Sequence, residues 1–106
     1  MRNSRSKSGA NQNVFEELGF SREESRVLAL KAQLAALIVH VVEDRGLNQK
    51  KLGVLWGVPQ PRVSEVMTGK LSVISIDRLV EFLGALGVDV IVRAKPATHT
   101  PKRKAG

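Results

Sequence analysis

The stretch that decides the fold is "GLNQKKLGVLWGVPQPRVSEVMTGKL", residues 46–71. It holds two short segments with apolar residues at helical spacing, separated by a turn at Gly57. Two short helices joined by a glycine-containing turn are the pattern of a helix-turn-helix motif. Asn48 can cap the first helix through its side-chain oxygen. The sequence therefore predicts this motif over about residues 48–69.

The second motif helix begins between two prolines, Pro59 and Pro61, with Gln60 between them. A residue that precedes proline avoids the helical region. We therefore predict Gln60 as the N-cap residue and Pro61 as the first helical residue, where its missing N–H costs nothing. A glutamine at this helix tip can bind N6 and N7 of an adenine base in the major groove of DNA. The free amides of the first helical turn favour a nearby phosphate.

The outer side of this helix carries the predicted base-reading residues, which are Gln60, Arg62, Ser64 and Glu65. Arg62 can reach a guanine or a phosphate, and Glu65 can accept a hydrogen bond from N4 of cytosine. A second set is placed for backbone phosphates, contacts that fix register without reading sequence. This set comprises Gln49, Lys50, Lys51 and Lys70. The alternative is that these side chains form an ordinary solvated helix face.

Two other residues of the motif have predicted structural roles. Gly53 lies where the two motif helices must cross closely, so a small residue is required there. Trp56 has two interpretations, core packing or a surface anchor for a partner, and we favour core packing.

A long helix is predicted before the motif. Ser21 and Glu24 have the spacing of a capping box. Apolar residues then recur at steps of three or four as far as about Arg45, and Gly46 can end the helix. Because apolar residues cover much of its circumference, we expect burial on more than one side, including by a partner subunit. Upstream, "NVFEELGF" (residues 13–20) fits a short turn of helix or an extended segment.

The region after the motif predicts one helix and one strand. Ser75 can cap a helix from Ile76 to about Leu86. "VDVIVRA", residues 88–94, is β-branched and alternating, which indicates a short strand. The predicted fold is mainly α, with four to five helices and a short C-terminal β-strand over residues 14–94. Because one strand leaves its backbone groups unpaired, we expect it to pair with a second chain, either across a dimer or with a different protein.

The net charge of +7 is concentrated at the two ends of the chain. Residues 1–13 and 95–106 hold seven basic residues and no acidic residue, while residues 14–94 hold ten of each sign. We therefore predict two basic disordered tails around a domain that is neutral on average. Between Arg45 and Lys70 there are five basic residues against Glu65 alone, a local patch suited to a polyanion.

Composition excludes several classes of site. The chain has no cysteine, so disulfides and thiolate metal sites are impossible, and a reducing cytoplasm is expected. His40 lies in an apolar helix and His99 in a predicted tail, and the chain has no cysteine, so no metal or cofactor is predicted. No nucleophile–base pair or phosphate loop is present, which argues against an enzyme.

The uncharged apolar run over residues 34–42 is far shorter than the roughly 20 residues of a membrane span, and residues 1–13 lack a signal peptide's apolar core.

These features together resemble a known family. "NVFEELGF", "LALKAQLAALI", the motif stretch itself, "SIDRLVEFLGALG" and "VDVIVRAKP", covering about residues 14–96, are similar to phage-repressor proteins of the XRE (Cro/CI) class. More narrowly, they resemble HigA-like antitoxins. That resemblance implies a homodimer that represses its own operon at a palindromic operator on double-stranded DNA. It also implies neutralisation of a RelE/HigB-type toxin.

Two other functions remain open from the sequence. The chain could be an orphan XRE-type regulator without a toxin. It could also be mainly a protein-binding neutraliser that uses residues 14–42 and the strand, with the motif as a scaffold.

Overall fold

The fold is mainly helical, as predicted. A computed structural model describes residues 12–96, so most of both predicted tails, 1–11 and 97–106, lies outside the described residues. The described residues form five helices and one 3-10 turn. They are α1 (Gln12–Glu17), α2 (Arg22–Arg45), α3 (Gln49–Trp56), α4 (Gln60–Met67), the 3-10 turn (Leu71–Val73) and α5 (Ile76–Ala85).

Helix α2 begins and ends where the sequence predicts. The Ser21 hydroxyl accepts from the amide of Glu24 at 3.1 Å, and the Glu24 carboxylate accepts from the amide of Ser21 at 3.0 Å. These reciprocal bonds satisfy two amides that the helix itself cannot pair. At the other end Gly46 has a φ of 65° and donates to carbonyls of the last turn. Such a left-handed residue is favourable for glycine and ends the helix.

By length and composition alone, α2 could cross a membrane. The apolar core helix of a soluble protein passes the same test. In this fold Leu34, Ile38 and Val42 are buried in the common core, with Ile38 fully inaccessible. The expectation of no membrane span was based on the short uncharged run, whereas the helix extends beyond that run at both ends.

The core lies between the inner side of α2 and the last three helices. Trp56 at the end of α3 stacks on Phe82 of α5, with ring centroids 4.3 Å apart and planes inclined by 21°. The guanidinium of Arg78 lies 5.0 Å from the centre of the same Phe82 ring. Trp56 is buried and belongs to the core cluster. This confirms core packing over the surface-anchor interpretation.

Helices α3 and α4 cross at Gly53, as predicted. A Cβ atom on Gly53 would lie 3.0 Å from the carbonyl oxygen of Val58 and 3.7 Å from Cγ2 of Val63. The Gly53 carbonyl also accepts from the amide of Val58 at 3.0 Å. Glycine therefore allows the turn to fold back directly onto the helix that precedes it, which fixes the position of α4.

The predicted C-terminal strand is not found within residues 12–96. Residues 88–96 follow α5 without regular secondary structure. Val88 and Val90 pack against the core, whereas Ile91 and Val92 are 89% and 85% exposed. The alternating valines therefore face the core as a strand would, but no second strand is hydrogen-bonded to this segment within the described residues. A single extended segment has no neighbour with which to exchange hydrogen bonds, so local sequence preference cannot make it a strand.

Candidate nucleic-acid interface

The tip of α4 begins one residue earlier than predicted. Pro59, with φ −66° and ψ 153°, is the N-cap residue, so Gln60 is the first helical residue and Pro61 the second. The prediction that Gln60 is the N-cap was wrong. The Pro59 carbonyl accepts from the amides of Arg62 at 3.0 Å and Val63 at 3.3 Å. Those bonds extend the helix back to Gln60 despite the preference of a pre-proline residue for extended backbone.

This start leaves few free amides at the tip. Pro61 has no N–H, and the amides of Arg62 and Val63 bond to Pro59. Among the described residues no partner is present for the amide of Gln60, and Pro59 offers no side-chain cap. The expected cluster of free first-turn amides is thus reduced to one. It stands beside the exposed side chain of Gln60.

Gln60 faces a shallow groove between α3 and α4. The lining residues are Lys50, Gly53, Val54, Gly57, Val58 and Gln60. A predicted base-reading residue and a predicted phosphate-binding residue therefore border the same groove. Sequence reasoning missed Val54, which is 81% exposed. Its position was available as a signal, because it stands two residues after buried Leu52 and so lies on a different side of α3.

Arg62 and Glu65 are paired to each other. Nη1 of Arg62 lies 2.9 Å from a carboxylate oxygen of Glu65 and also donates to the Val73 carbonyl at 3.1 Å. The two side chains are 41% and 33% exposed. Nε and Nη2 of Arg62 have no partner among the described residues. The guanidinium is thus oriented through one nitrogen while its other donors remain available.

The other predicted contacts divide by exposure. Ser64 and Gln49 are half-buried, whereas three lysines are exposed and form no ion pair within residues 12–96. These lysines are Lys50, Lys51 and Lys70. Arg45, counted in the basic patch, instead donates from Nη1 to the Leu86 carbonyl. This bond connects the end of α2 to the end of α5, so the fold holds the Arg45 side chain while the three lysines lie exposed around the motif.

Comparison with known proteins identifies the family to which this helix-turn-helix chain belongs. The model of a helix-turn-helix domain family matches residues 14–95. This chain belongs to that family. An uncharacterized HTH-type transcriptional regulator of Haemophilus influenzae is 32% identical over 79 residues, which are 74% of this chain and 80% of the relative.

A solved structure assigned to the XRE family of transcriptional regulators shares the architecture of this helix-turn-helix protein. It superposes with a TM-score of 0.62 at 28% identity and covers 78% of this chain and 96% of its own. The family supports DNA binding, and neither relative is described as an enzyme. Within the described residues, no group of three or more potential metal ligands is present.

Proposed function

We propose that this helix-turn-helix protein is a cytoplasmic transcriptional repressor that binds a palindromic operator on double-stranded DNA as a homodimer. One observation carries the proposal. Gln60 stands exposed on the first turn of α4, at a groove edge that it shares with Lys50. A side chain that can read a base edge and a cation that can hold a phosphate therefore approach one duplex together.

In the proposed complex the N-terminal turn of α4 enters the major groove. Gln60 reads adenine, and the free donors of Arg62 reach a guanine or a phosphate. Ser64 and Glu65 complete the base-reading set, with Glu65 also holding Arg62 in place. Val54 supplies an apolar contact at the groove edge, of the kind that a thymine methyl group accepts.

Phosphate binding is assigned to the residues around the motif. Lys50, Lys51 and Lys70 approach the backbone from exposed positions, and Gln49 contributes from a half-buried one. Each cation that neutralises a phosphate releases counterions, so affinity should fall as salt rises. The basic tails add a sequence-independent part of the same attraction.

Binding to the protein's own promoter, compared with scrambled DNA at about 150 mM salt, tests this function. Gln60→Ala and Arg62→Ala should each cost about 1–3 kcal/mol on the operator and relax the preference at one base position. Lys50→Ala should weaken both DNAs alike and flatten the salt dependence.

Arg78→Ala is the matched control. Arg78 forms the same type of ion pair, to Glu81 at 2.8 Å, but it lies on α5. Its removal should leave the operator preference unchanged. Equal affinity of the wild-type protein for promoter and scrambled DNA would refute specific readout.

We further propose that the protein acts as a HigA-like antitoxin towards a RelE/HigB-type toxin. The sequence resemblance over residues 14–96 motivates this proposal, and the C-terminal segment supports it. Ile91 and Val92 are apolar and highly exposed, next to Val88 and Val90, which pack on the core. Residues 88–94 would become a strand when a second chain, either the toxin or another copy, supplies the missing hydrogen bonds.

Co-expression with the neighbouring gene tests the antitoxin role. An antitoxin should rescue growth and co-purify with the neighbouring product, and replacement of Ile91 and Val92 by serine should weaken both effects. A chain that binds its promoter but shows neither rescue nor co-purification is the orphan regulator instead. A chain that rescues growth without binding its promoter is the protein-binding neutraliser.

A further inference from the structure

Helix α2 has a second side that faces away from the core, and a straight row of exposed residues runs along it. This row, called here the outer stripe, consists of Arg26, Leu30, Gln33, Leu37, His40 and Asp44. Leu30 and Leu37 are 44% and 38% exposed, whereas the core side of the helix is buried through Leu34, Ile38 and Val42. Two leucines aligned in an outward row are more than the core of one chain requires.

Spacing within the outer stripe follows a seven-residue repeat. The steps from Arg26 to Asp44 alternate between four and three residues. This places the two leucines at one seam position, and the polar Gln33 and His40 at the other. Spacing of four and three residues lets the side chains of two adjacent helices interlock. In this seam one of the two positions is apolar and the other is polar.

Charge at the two ends of the stripe determines which partner fits. Arg26 stands near the N-terminus of α2 and Asp44 near its C-terminus, and neither forms an ion pair with any other described residue. In a parallel pair of identical helices, each would face its own like charge. In an antiparallel pair, each would face the opposite charge of the second copy.

We infer that the outer stripe is the homodimer interface, with the α2 helices of two copies antiparallel about a twofold axis near residue 35. In this register Asp44 faces Arg26 of the second copy, and the reciprocal pair closes the other end. Leu37 faces Gln33 of the second copy beside the axis, and Leu30 faces His40 of the second copy between centre and end.

The centre of this pairing is amphipathic, and Gln33 suits it. The aliphatic stem of Gln33 can cover Leu37 of the second copy while its amide remains at the edge of the seam. Two copies of residue 33 stand about 6 Å apart along the helix axes at the helical rise per residue. Because a glutamine amide both donates and accepts, the two amides can bond to each other across the twofold axis. A polar residue at one seam position also fixes the register, at some cost in stability.

This inference rests on the homodimer of the proposed function and names the surface that forms it. The stripe belongs wholly to α2, whereas the groove at Gln60 is lined by α3, α4 and the turn between them. Pairing through α2 therefore leaves the proposed DNA-reading tip uncovered. It also gives a role to two of the leucines that make α2 apolar enough to resemble a membrane span by composition.

Sedimentation equilibrium of the DNA-free full chain tests the surface. Wild-type protein should be a dimer. Leu37→Glu would place a charge in the seam twice per dimer and should raise the dimer dissociation constant about a hundredfold. Val80→Glu is the matched control, because Val80 is 37% exposed but lies on α5. It should remain dimeric, and circular dichroism should show both variants to be helical.

Charge reversal tests the pairing without touching the centre of the seam. Arg26→Glu or Asp44→Arg alone creates like-charge contacts at both ends and should weaken the dimer about tenfold. The double variant Arg26→Glu/Asp44→Arg restores opposite charges and should recover wild-type affinity. Failure of the double variant to recover would overturn the proposed pairing.

Cross-linking tests the orientation, since the chain has no natural cysteine. Arg26→Cys and Asp44→Cys chains should form a disulfide when mixed and oxidised, but neither should do so alone. In the antiparallel pair, two copies of position 26 stand about 27 Å apart at the helical rise per residue. Cross-linking of either variant with itself would overturn the antiparallel arrangement.

The outcomes separate the surface from the function. If the wild-type protein and the Leu37→Glu variant are both dimers, the outer stripe is not the dimer interface, and the proposed homodimeric repressor still stands. A wild-type monomer overturns both the surface and the homodimer. A monomer whose stripe variants lose co-purification with the neighbouring product assigns the stripe to the toxin instead.

Discussion

Helices α4 and α5 begin in opposite ways, although each carries an arginine that pairs with a glutamate three residues later. In α5 the Ser75 hydroxyl accepts from the amide of Arg78 at 3.3 Å, and Asp77 adds a negative charge in the first turn. In α4 the N-cap is Pro59, which has no side-chain hydrogen bond, and no acidic residue lies in the first turn.

The difference separates stability from binding. The positive end of the α5 dipole is compensated by the helix's own side chains. Its Leu79, Phe82 and Leu83 are buried in the core. The positive end of α4 is left uncompensated and next to exposed Gln60, a state that an approaching phosphate or base can complete. We therefore expect substitutions in α5 to change the free energy of unfolding, and substitutions at the α4 tip to change the affinity for DNA.

The largest expected effect is on the free energy of unfolding, from a substitution in the buried side of α5. Leu79→Ala removes a fully buried side chain of α5 and should lower the free energy of unfolding by about 2–5 kcal/mol. Gln60→Ala, at the exposed tip of α4, should change it by less than about 0.5 kcal/mol. Urea unfolding followed by circular dichroism measures both values. Equal losses from the two variants would erase the proposed division of roles.

The second-largest effect is expected at Gly53, where α3 and α4 cross. Gly53→Val would push carbon atoms against the backbone oxygen of Val58 and should destabilise the fold by about 1–3 kcal/mol. The control is Gly84→Ala in α5, where nothing lies within 4 Å of the added Cβ. That change should instead stabilise by about 1 kcal/mol through helix propensity. Thermal unfolding distinguishes the two signs, and a stabilising Gly53→Val would contradict the close crossing.

A smaller effect is expected at the cap of α5. Ser75→Ala removes the acceptor for the amide of Arg78 and should cost about 1 kcal/mol of unfolding free energy. Ser75→Thr keeps a hydroxyl and should retain most of that stability. Guanidinium unfolding of the three proteins measures the difference. An alanine variant as stable as wild type would mean that the α5 tip is as weakly capped as that of α4.

The smallest effect is a pH dependence. The Ser75 hydroxyl, followed by the backbone amides of Asp77 and Arg78, lowers the pKa of Asp77 below its ordinary value of 3.8. A lowered pKa in the folded protein contributes stability above 3.8, and this contribution is lost as pH falls through the folded value. Asp77→Asn should therefore lose less stability than wild type on acidification below pH 3.8. Urea midpoints at several acidic pH values measure this, and identical slopes would exclude the effect.

Sequence rules predicted the parts of the fold that depend on neighbouring residues. The caps at Ser21, Asn48 and Ser75 and the left-handed glycines at Gly46 and Gly57 lie where expected. Each depends on atoms within one helical turn, so local sequence contains the necessary information. The same reasoning located the motif and the close contact at Gly53.

The errors and omissions came from longer-range contacts and competing local preferences. Gln60 was misplaced because the hydrogen bonds to the Pro59 carbonyl outweighed the pre-proline preference. Arg62 is oriented by the Val73 carbonyl eleven residues away, a contact that no helical period encodes. The strand over residues 88–94 needs a partner that residues 12–96 do not supply. Exposed Val54 was the one omission that its spacing from Leu52 could have revealed.

The stacking of Trp56 on Phe82 has a practical consequence. This chain contains one tryptophan and no tyrosine, so its near-ultraviolet emission comes almost wholly from a single indole. That indole reports whether α3 remains docked on α5, at a buried position apart from the groove at Gln60. The protein therefore provides an intrinsic fluorescence signal for integrity of the motif while DNA is titrated.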